Sequence, residues 1–340
     1  MTFRICTIGC GHIATGYHGP AYRRYVATHP DTELAACCDL DEARARQFAE
    51  CFGFTRHYTD LEAMIETERP GAVCMMVSEP FTCEVACRVL RFGVPLMTEK
   101  PPGRTTDEIE RMIAAAEASG APTQVAFNRR HLPLVRLLRS QLAGLDPAQI
   151  QHVRYDLTRI GRTDADFSLT AIHGIDAVRY LAGSDYAYVR FHYQELPEFG
   201  PTVANIFMDC TLASGGTAHL DFCPVAGVVV ERATIYAHDH TFFLNIPIWN
   251  GFDAPGRLQH LERGTLIAEV DGITASSGSE DFILSGFYAE NASFFDDIRS
   301  GRRPTDDLRS ARQSVEVAQC IRERVNEYHA TRPWGTARGS

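Results

Sequence analysis

Lys100 stands in "PLMTEKPPG", behind Leu96, Met97 and Thr98 and ahead of Pro101 and Pro102. Two prolines fix φ near −65° and stop a strand or helix from continuing. The ammonium is therefore held still at the end of an extended apolar run. An amine fixed there can hydrogen-bond an alcohol and stabilise its oxygen as charge develops. Apolar walls and a neighbouring cationic ring would lower its pKa. The plainer alternative is a surface lysine paired with Glu99. A second chemical stretch is "TIGCGHIATG", where Gly9, Gly11 and Ala14 form a G-x-G-x-x-A pattern. The first glycine permits a tight turn, the second lets backbone approach a pyrophosphate, and the small third residue lets helix and strand pack closely. The free N–H groups of the following helix then face phosphate. A glycine-rich strand-to-helix turn without a ligand would read the same. Asp39 ends the next apolar run, where a carboxylate can accept hydrogen bonds from an adenosine ribose and would repel a 2′-phosphate. That points to NAD over NADP. Asp39 also fits a helix N-cap.

A third stretch, "SLTAIHGIDAVRYL", reads as a helix with Ala171, Ile175, Val178 and Ala182 on one stripe. Leu169, His173, Asp176 and Tyr180 fall on another face at steps of three and four. His173 and Asp176 are then neighbours, and a carboxylate beside an imidazole orients it and raises its basicity. A structural histidine is the plainer reading of that pair alone. "FNRRH" puts Asn128, Arg129 and Arg130 after a strand. Arg129 or Arg130 could bind substrate oxygens or a carboxylate, or bridge two domains. Arg159 and Arg162 precede the His173 helix and would suit a sugar acid.

The elements that position these residues change character along the chain. "FRICTIG", "ELAACCDL", "AVCMMVS", "VPLMTEK" and "APTQVAFN" are apolar strand-like runs separated by helical stretches. Such alternation argues for βαβ units and a parallel sheet covered on both faces. Thr59 with Glu62, and Thr105 with Glu108, have the spacing of capping boxes. In such a sheet ligands bind outside the carboxyl ends of the strands, which is where Lys100 falls. From about Ile150, long alternating segments follow one another, with Ser214-Gly215-Gly216 as a hairpin turn. These predict a mostly antiparallel sheet, interrupted by a helix around 169–182 and closed by helices near 287–299 and 308–328.

The 340 residues suit two domains. A net charge of −10 without a basic run argues against nucleic acid and anionic membranes. No apolar stretch approaches a membrane span, and the N-terminus lacks the pattern of a signal peptide. The cysteines are odd in number, eleven, with no C-x-x-C. Buried reduced thiols in a cytoplasmic protein follow. His238 and His240 in "AHDHT" would share one face of a strand; a solvated or hydrogen-bonded pair is expected there, and no metal site.

Taken in order, "GCGHIA", Asp39, "EKP" at Glu99–Pro101, His173-x-x-Asp176 and "FYAENASFFDDIRSGRRP" resemble the Gfo/Idh/MocA family (glucose–fructose oxidoreductase, inositol dehydrogenase, rhizopine catabolism). The likeness runs over nearly the whole chain. It implies a Rossmann domain over 1–127 and, over 128–330, a substrate-binding α/β domain with a large open, mostly antiparallel sheet. The last helix would pack back on the first domain, and 331–340 would be a tail. It implies reversible oxidation of a sugar, cyclitol or sugar-acid hydroxyl with NAD, and a homodimer or homotetramer assembled through the second sheet. It places cofactor contacts on Gly9, Gly11, His12, Ile13, Ala14 and Asp39, then on Ser78 and Pro80 after the third apolar run, and on Glu99, Lys100 and Asn128. Lys100, Arg129, His173 and Asp176 would meet substrate; Lys100, His173 and Asp176 would be catalytic. Two departures stand out: Leu169 occupies a position where the family often has an aspartate, so that Asp176 or Asp166 must orient His173, and "SEPFTCE" keeps Pro80 without the family's histidine. Other family members are redox-neutral lyases or glycosidases that retain NAD, and some are non-catalytic dinucleotide-binding regulators.

Overall fold

The computed structural model describes residues 2–330, so the tail expected over 331–340 lies outside the described residues. The chain forms two compact units, residues 2–128 with 286–315, and residues 129–285 with those from 316 on.

The first unit alternates as the apolar runs require: β1 (Phe3–Ile8), α1 (Gly19–Thr28), β2 (Thr32–Cys38), α2 (Glu42–Phe52), β3 (Arg56–Tyr58), α3 (Leu61–Glu68), β4 (Ala72–Met75), α4 (Thr82–Leu90), β5 (Leu96–Glu99), α5 (Thr106–Ser119) and β6 (Thr123–Ala126). All six strands are parallel in the order β3-β2-β1-β4-β5-β6. That is a doubly wound sheet whose order reverses beside β1, the place where such folds bind ligands. The strands are buried almost throughout, which explains their unbroken apolar reading. β3 has only three residues and no apolar run, so no periodicity announces it. Helix starts also differ in detail. Asp60, not Thr59, caps α3 by accepting from Ala63 N–H at 3.0 Å. Asp41, not Asp39, caps α2 by accepting from Arg44 N–H at 3.1 Å. Thr105 caps α5 as expected, while the Glu108 carboxylate takes Arg104 N–H at 2.5 Å.

The second unit runs α6 (Pro133–Leu142), β7 (Ile150–Thr158), α7 (Ser168–Ala182), β8 (Tyr186–Glu195), β9 (Ala204–Leu212), β10 (Thr217–Cys223), β11 (Val230–Ala237), β12 (His240–Ile246), β13 (Arg257–Glu262) and β14 (Thr265–Asp271). After α8 (Asp281–Leu284), α9 (Phe287–Arg299) and the first half of α10 (Leu308–Arg322) belong to the first unit, and β15 (Glu327–His329) ends the second. The sheet has nine strands, β14-β13-β12-β11-β7-β10-β9-β8-β15. Only β7 and β10 run parallel; the remaining pairs are antiparallel. One face alternates inward under α7, which packs on β7 and β10. The final helix ends at Arg322, short of the expected 328. Arg324 adopts φ +54° and turns the chain, so Tyr328 pairs with Val189 on β8. His238 lies in the turn before β12, with Asp239 at φ +63°, and His240 opens the strand. The two histidines therefore do not share a strand face, and His240 Nδ1 meets His260 Nε2 at 3.1 Å.

Candidate functional site

In the first unit a cavity of about 770 Å³ opens at the carboxyl ends of β1, β2 and β4, within the range of small-molecule and cofactor sites. Gly9, Gly11, Asp39 and Ser78 line it, together with Arg44, Glu62, Phe81 and Arg88. The glycine pattern has a visible cause. Gly9 sits at φ +90°, and a Cβ there would lie 2.3 Å from the Met76 carbonyl oxygen. At Gly11 nothing stands within 4 Å of the Cβ position, so a phosphate could approach the backbone. Asp39 is fixed by the glycine loop itself: Cys10 N–H donates to its Oδ2 at 2.8 Å and Asp41 N–H to its Oδ1 at 3.0 Å. The cavity wall carries Asp39, Asp41, Asp60, Glu62 and Glu84 against only Arg44 and Arg88. Arg88 is clamped by Glu62 at 2.7 and 2.6 Å, a pairing that lowers the Glu62 carboxyl pKa. The donor set thus fits a dinucleotide with a free ribose and disfavours one with a 2′-phosphate.

The other expected cofactor residues lie elsewhere in this unit. His12 is exposed and Ala14 buried, and Ile13 precedes a π-helical turn, Ala14–His18, that leads into α1. Pro80 is exposed in a short 3₁₀ turn, and Asn128 is buried where the chain leaves the unit. Glu99 and Lys100 follow the buried β5. Glu99 folds back, its Oε2 accepting Lys100 N–H at 3.0 Å. Its Oε1 meets His18 Nε2 at 2.9 Å. His18 is wholly buried, and its Nδ1 lies 3.0 Å from the Asn291 Nδ2, which also donates to the Phe287 carbonyl at 2.7 Å. Asn291 Oδ1 also lies 3.3 Å from Nδ1, so the Asn291 amide meets one ring nitrogen and Glu99 the other. The π-helical turn, α9 and the Lys100 segment are thereby tied together. No local pattern links His18 to Glu99 or Asn291, so the sequence alone conceals this chain.

In the second unit His173 lies on α7, buried on nearly all sides. Asp176, expected to orient His173 and to meet substrate, has both oxygens on Arg130, each at 2.7 Å, in a buried bidentate pair. Such planar, charge-assisted pairs outcompete single contacts. Asp166, the other candidate for orienting His173, spends its Oδ1 on the start of α7, accepting Ser168 N–H at 3.0 Å. Arg129, expected on substrate, grips Glu231 at 2.9 and 2.7 Å. Glu231 is also held by Arg159 and by the Tyr155 hydroxyl at 2.8 Å. Burial pushes the Glu231 carboxyl up, but the Arg129 and Arg159 guanidiniums outweigh it and bring the pKa down to about 2. Among the described residues no cluster could hold a metal ion, and no helix is long and apolar enough to cross a membrane.

A doubly wound unit with a carboxylate-walled cavity at its topological switch, followed by a unit built on an open nine-stranded sheet, defines a class of dinucleotide-binding proteins. Residues 3–127 match the oxidoreductase family with an NAD-binding Rossmann fold, Gfo/Idh/MocA. D-glucoside 3-dehydrogenase of Escherichia coli (strain K12) is 30% identical over 42% of this chain and 39% of its own. Inositol 2-dehydrogenase of Ralstonia nicotianae is 28% identical over 57% of this chain and 58% of its own. The alignments thus span from about two fifths to three fifths of those relatives' length. The structure of levoglucosan dehydrogenase in complex with NADH and levoglucosan shares the fold, with a TM-score of 0.82 at 18% identity, covering 98% of this chain and all of that one.

Proposed function

We propose that the protein is an NAD-dependent dehydrogenase that oxidises a secondary hydroxyl of a sugar, cyclitol or sugar acid to a ketone. The observation that carries this reading is the alignment of Gly11, Asp39, Ser78 and Lys100 after the carboxyl ends of β1, β2, β4 and β5. When bound, the dinucleotide supplies the acceptor for the hydrogen and electron pair lost from the alcohol carbon. Gly9 and Gly11 admit its phosphates, and Asp39 takes the ribose hydroxyls. Lys100 donates a hydrogen bond to the reacting hydroxyl and stabilises the oxygen as its proton leaves. Glu99, steadied by His18, fixes the backbone that carries Lys100. His173 accepts the hydroxyl proton, so that alcohol and oxidised cofactor yield ketone, reduced cofactor and one proton. Asp176 holds Arg130 and steadies α7 beneath His173. The names of the relatives, glucoside, inositol and levoglucosan dehydrogenases, support a polyhydroxylated substrate. Free thiols throughout suit a reducing cytoplasm. The half-exposed Tyr236 and Phe243 on the second sheet support assembly of copies through that face, which sedimentation velocity tests.

The direct test is Lys100→Met. Turnover with any sugar or polyol that reduces NAD should fall at least about a thousandfold, with NAD affinity within about threefold of wild type. Wild-type turnover in the variant would remove Lys100 from the reaction. A panel in which no polyol yields NADH, while the bound sugar turns over without net redox change, would favour a lyase instead.

A further inference from the structure

Residues 247–256, which join β12 to β13, form a loop with a fixed base and an exposed tip. Asp253 takes Nε and Nη2 of Arg232 at 2.7 and 2.9 Å and the Asn245 amide at 3.2 Å. Gly251 N–H donates to the Ile248 carbonyl at 2.7 Å, and Gly256 N–H to the Asp253 carbonyl at 2.6 Å. Gly256 sits at φ +88°, where a Cβ would lie 2.8 Å from both the Asn245 carbonyl oxygen and the Leu134 side chain. Yet this tightly seated loop sends its largest side chains into water: Trp249 is 51% exposed and Phe252 76%.

The backbone at the tip is unusual as well. Trp249 and Asn250 have φ of +48° and +52°. A bulky side chain enters that region only where its surroundings hold it there, and such residues cluster at ligand contacts. Burial does not repay the strain, since the indole stays half open. Its orientation is nevertheless fixed. The ring lies over the Arg159 guanidinium, with the carbon 5.1 Å from the ring centroid, a cation–π contact. Arg159 is itself buried and clamped by Glu231. Glu231 is bonded to Tyr155 of β7, the strand on which the His173 helix packs. The indole is therefore a rigid plate with one face supported and much of its surface free.

We propose that Trp249 is the stacking platform for the ring of the substrate, a pyranose or cyclitol. The C–H face of such a ring is an apolar patch the size of an indole, while its hydroxyl edge needs polar partners. An aromatic plate gains contact area with that face at little conformational cost. Phe252, three residues on in the same loop, is the other exposed aromatic of the tip. The inference rests on the proposed oxidation of a sugar or polyol and names the residue that recognises the ring.

The chain contains two tryptophans, so Trp334→Phe leaves Trp249 as the sole indole and serves as the reference protein. Titrating this full-length protein with myo-inositol, D-glucose and levoglucosan should change Trp249 emission saturably for the sugar it oxidises. Trp249→Ala should raise KM for that sugar at least tenfold with kcat within about threefold, and Trp249→Phe should recover most of the KM. Unchanged emission at a saturating concentration of the oxidised sugar would overturn the proposal, as would a Trp249→Ala KM within twofold of the reference. So would a Trp249→Ala protein that sediments as a smaller species with KM unaltered, which would make the tip a contact between copies. Oxidation with unaltered Trp249→Ala kinetics sinks the platform and leaves the enzyme standing. Saturable emission changes without NADH formation sink the enzymatic reading and keep the platform.

Discussion

Replacing Glu231 by Gln keeps the shape of the side chain and removes its charge. In the wild type that carboxylate is wholly buried between Arg129 and Arg159. Its folded pKa of about 2 lies below the ordinary 4.5. A depressed folded pKa contributes stability that is fully present above the unfolded value and lost as pH falls through the folded one. The difference corresponds to about 3 kcal/mol at pH 7. Breaking a buried ion pair from one side gives a similar figure, about 3–5 kcal/mol, because the guanidiniums keep their charge without a counterion. Urea unfolding followed by tryptophan emission is the assay, since Trp249 lies over Arg159. Glu231→Gln should be less stable than wild type by about 3 kcal/mol at pH 7 and by about 2 kcal/mol at pH 3.5. A gap under 1 kcal/mol at pH 7, or one that fails to narrow on acidification, would refute the assignment of that charge to the two arginines.

Gly9→Ala should destabilise the first unit by at least about 2 kcal/mol, read as a lower urea midpoint, because it combines positive φ with a backbone clash. Asp39→Ser removes the charge that repels a 2′-phosphate. Isothermal titration should show about tenfold weaker NAD binding and stronger NADP binding. His18→Leu takes the ring partner from Glu99 and should slow turnover about tenfold, while His18→Gln, which keeps a donor, should restore most of it; equal rates for both variants would leave His18 without a role in placing Lys100.

Most of the first unit was legible because its strands are covered on both faces. Continuous apolar runs and glycine stops then mark β1, β2, β4 and β5 without ambiguity. β3 was not, since three polar residues added to a sheet edge carry no period. In the second unit the hairpin at Gly215 and α7 were legible, but β12 to β15 and α6 were not singled out. Tyr328 continued a helical stripe on paper, and the turn at Arg324 broke it. Of the candidate site, the glycine loop and Asp39 are local motifs, and the structure gathers them with Ser78 around one cavity. Partner choice was the hidden part. That Asp176 takes Arg130, that Arg129 takes Glu231 and that Glu99 takes His18 depends on which elements meet in space, and spacing along a chain does not report this.

The helix α9 has a bearing on how the protein is made. Phe295 of α9 lies 5.0 Å from the Tyr25 ring and 6.0 Å from the Tyr22 ring, and Asn291 completes the His18 chain. These residues leave the ribosome long after β6. At ordinary elongation rates the intervening stretch takes roughly 8–30 s to synthesise. Throughout that interval the nascent dinucleotide unit has an open aromatic seam, and its His18 imidazole is held by Glu99 alone. The cavity lining, Ile8 to Arg88, is complete by then, but the seam is covered only when Phe294 and Phe295 arrive, so a fragment cut after β6 would be prone to aggregate.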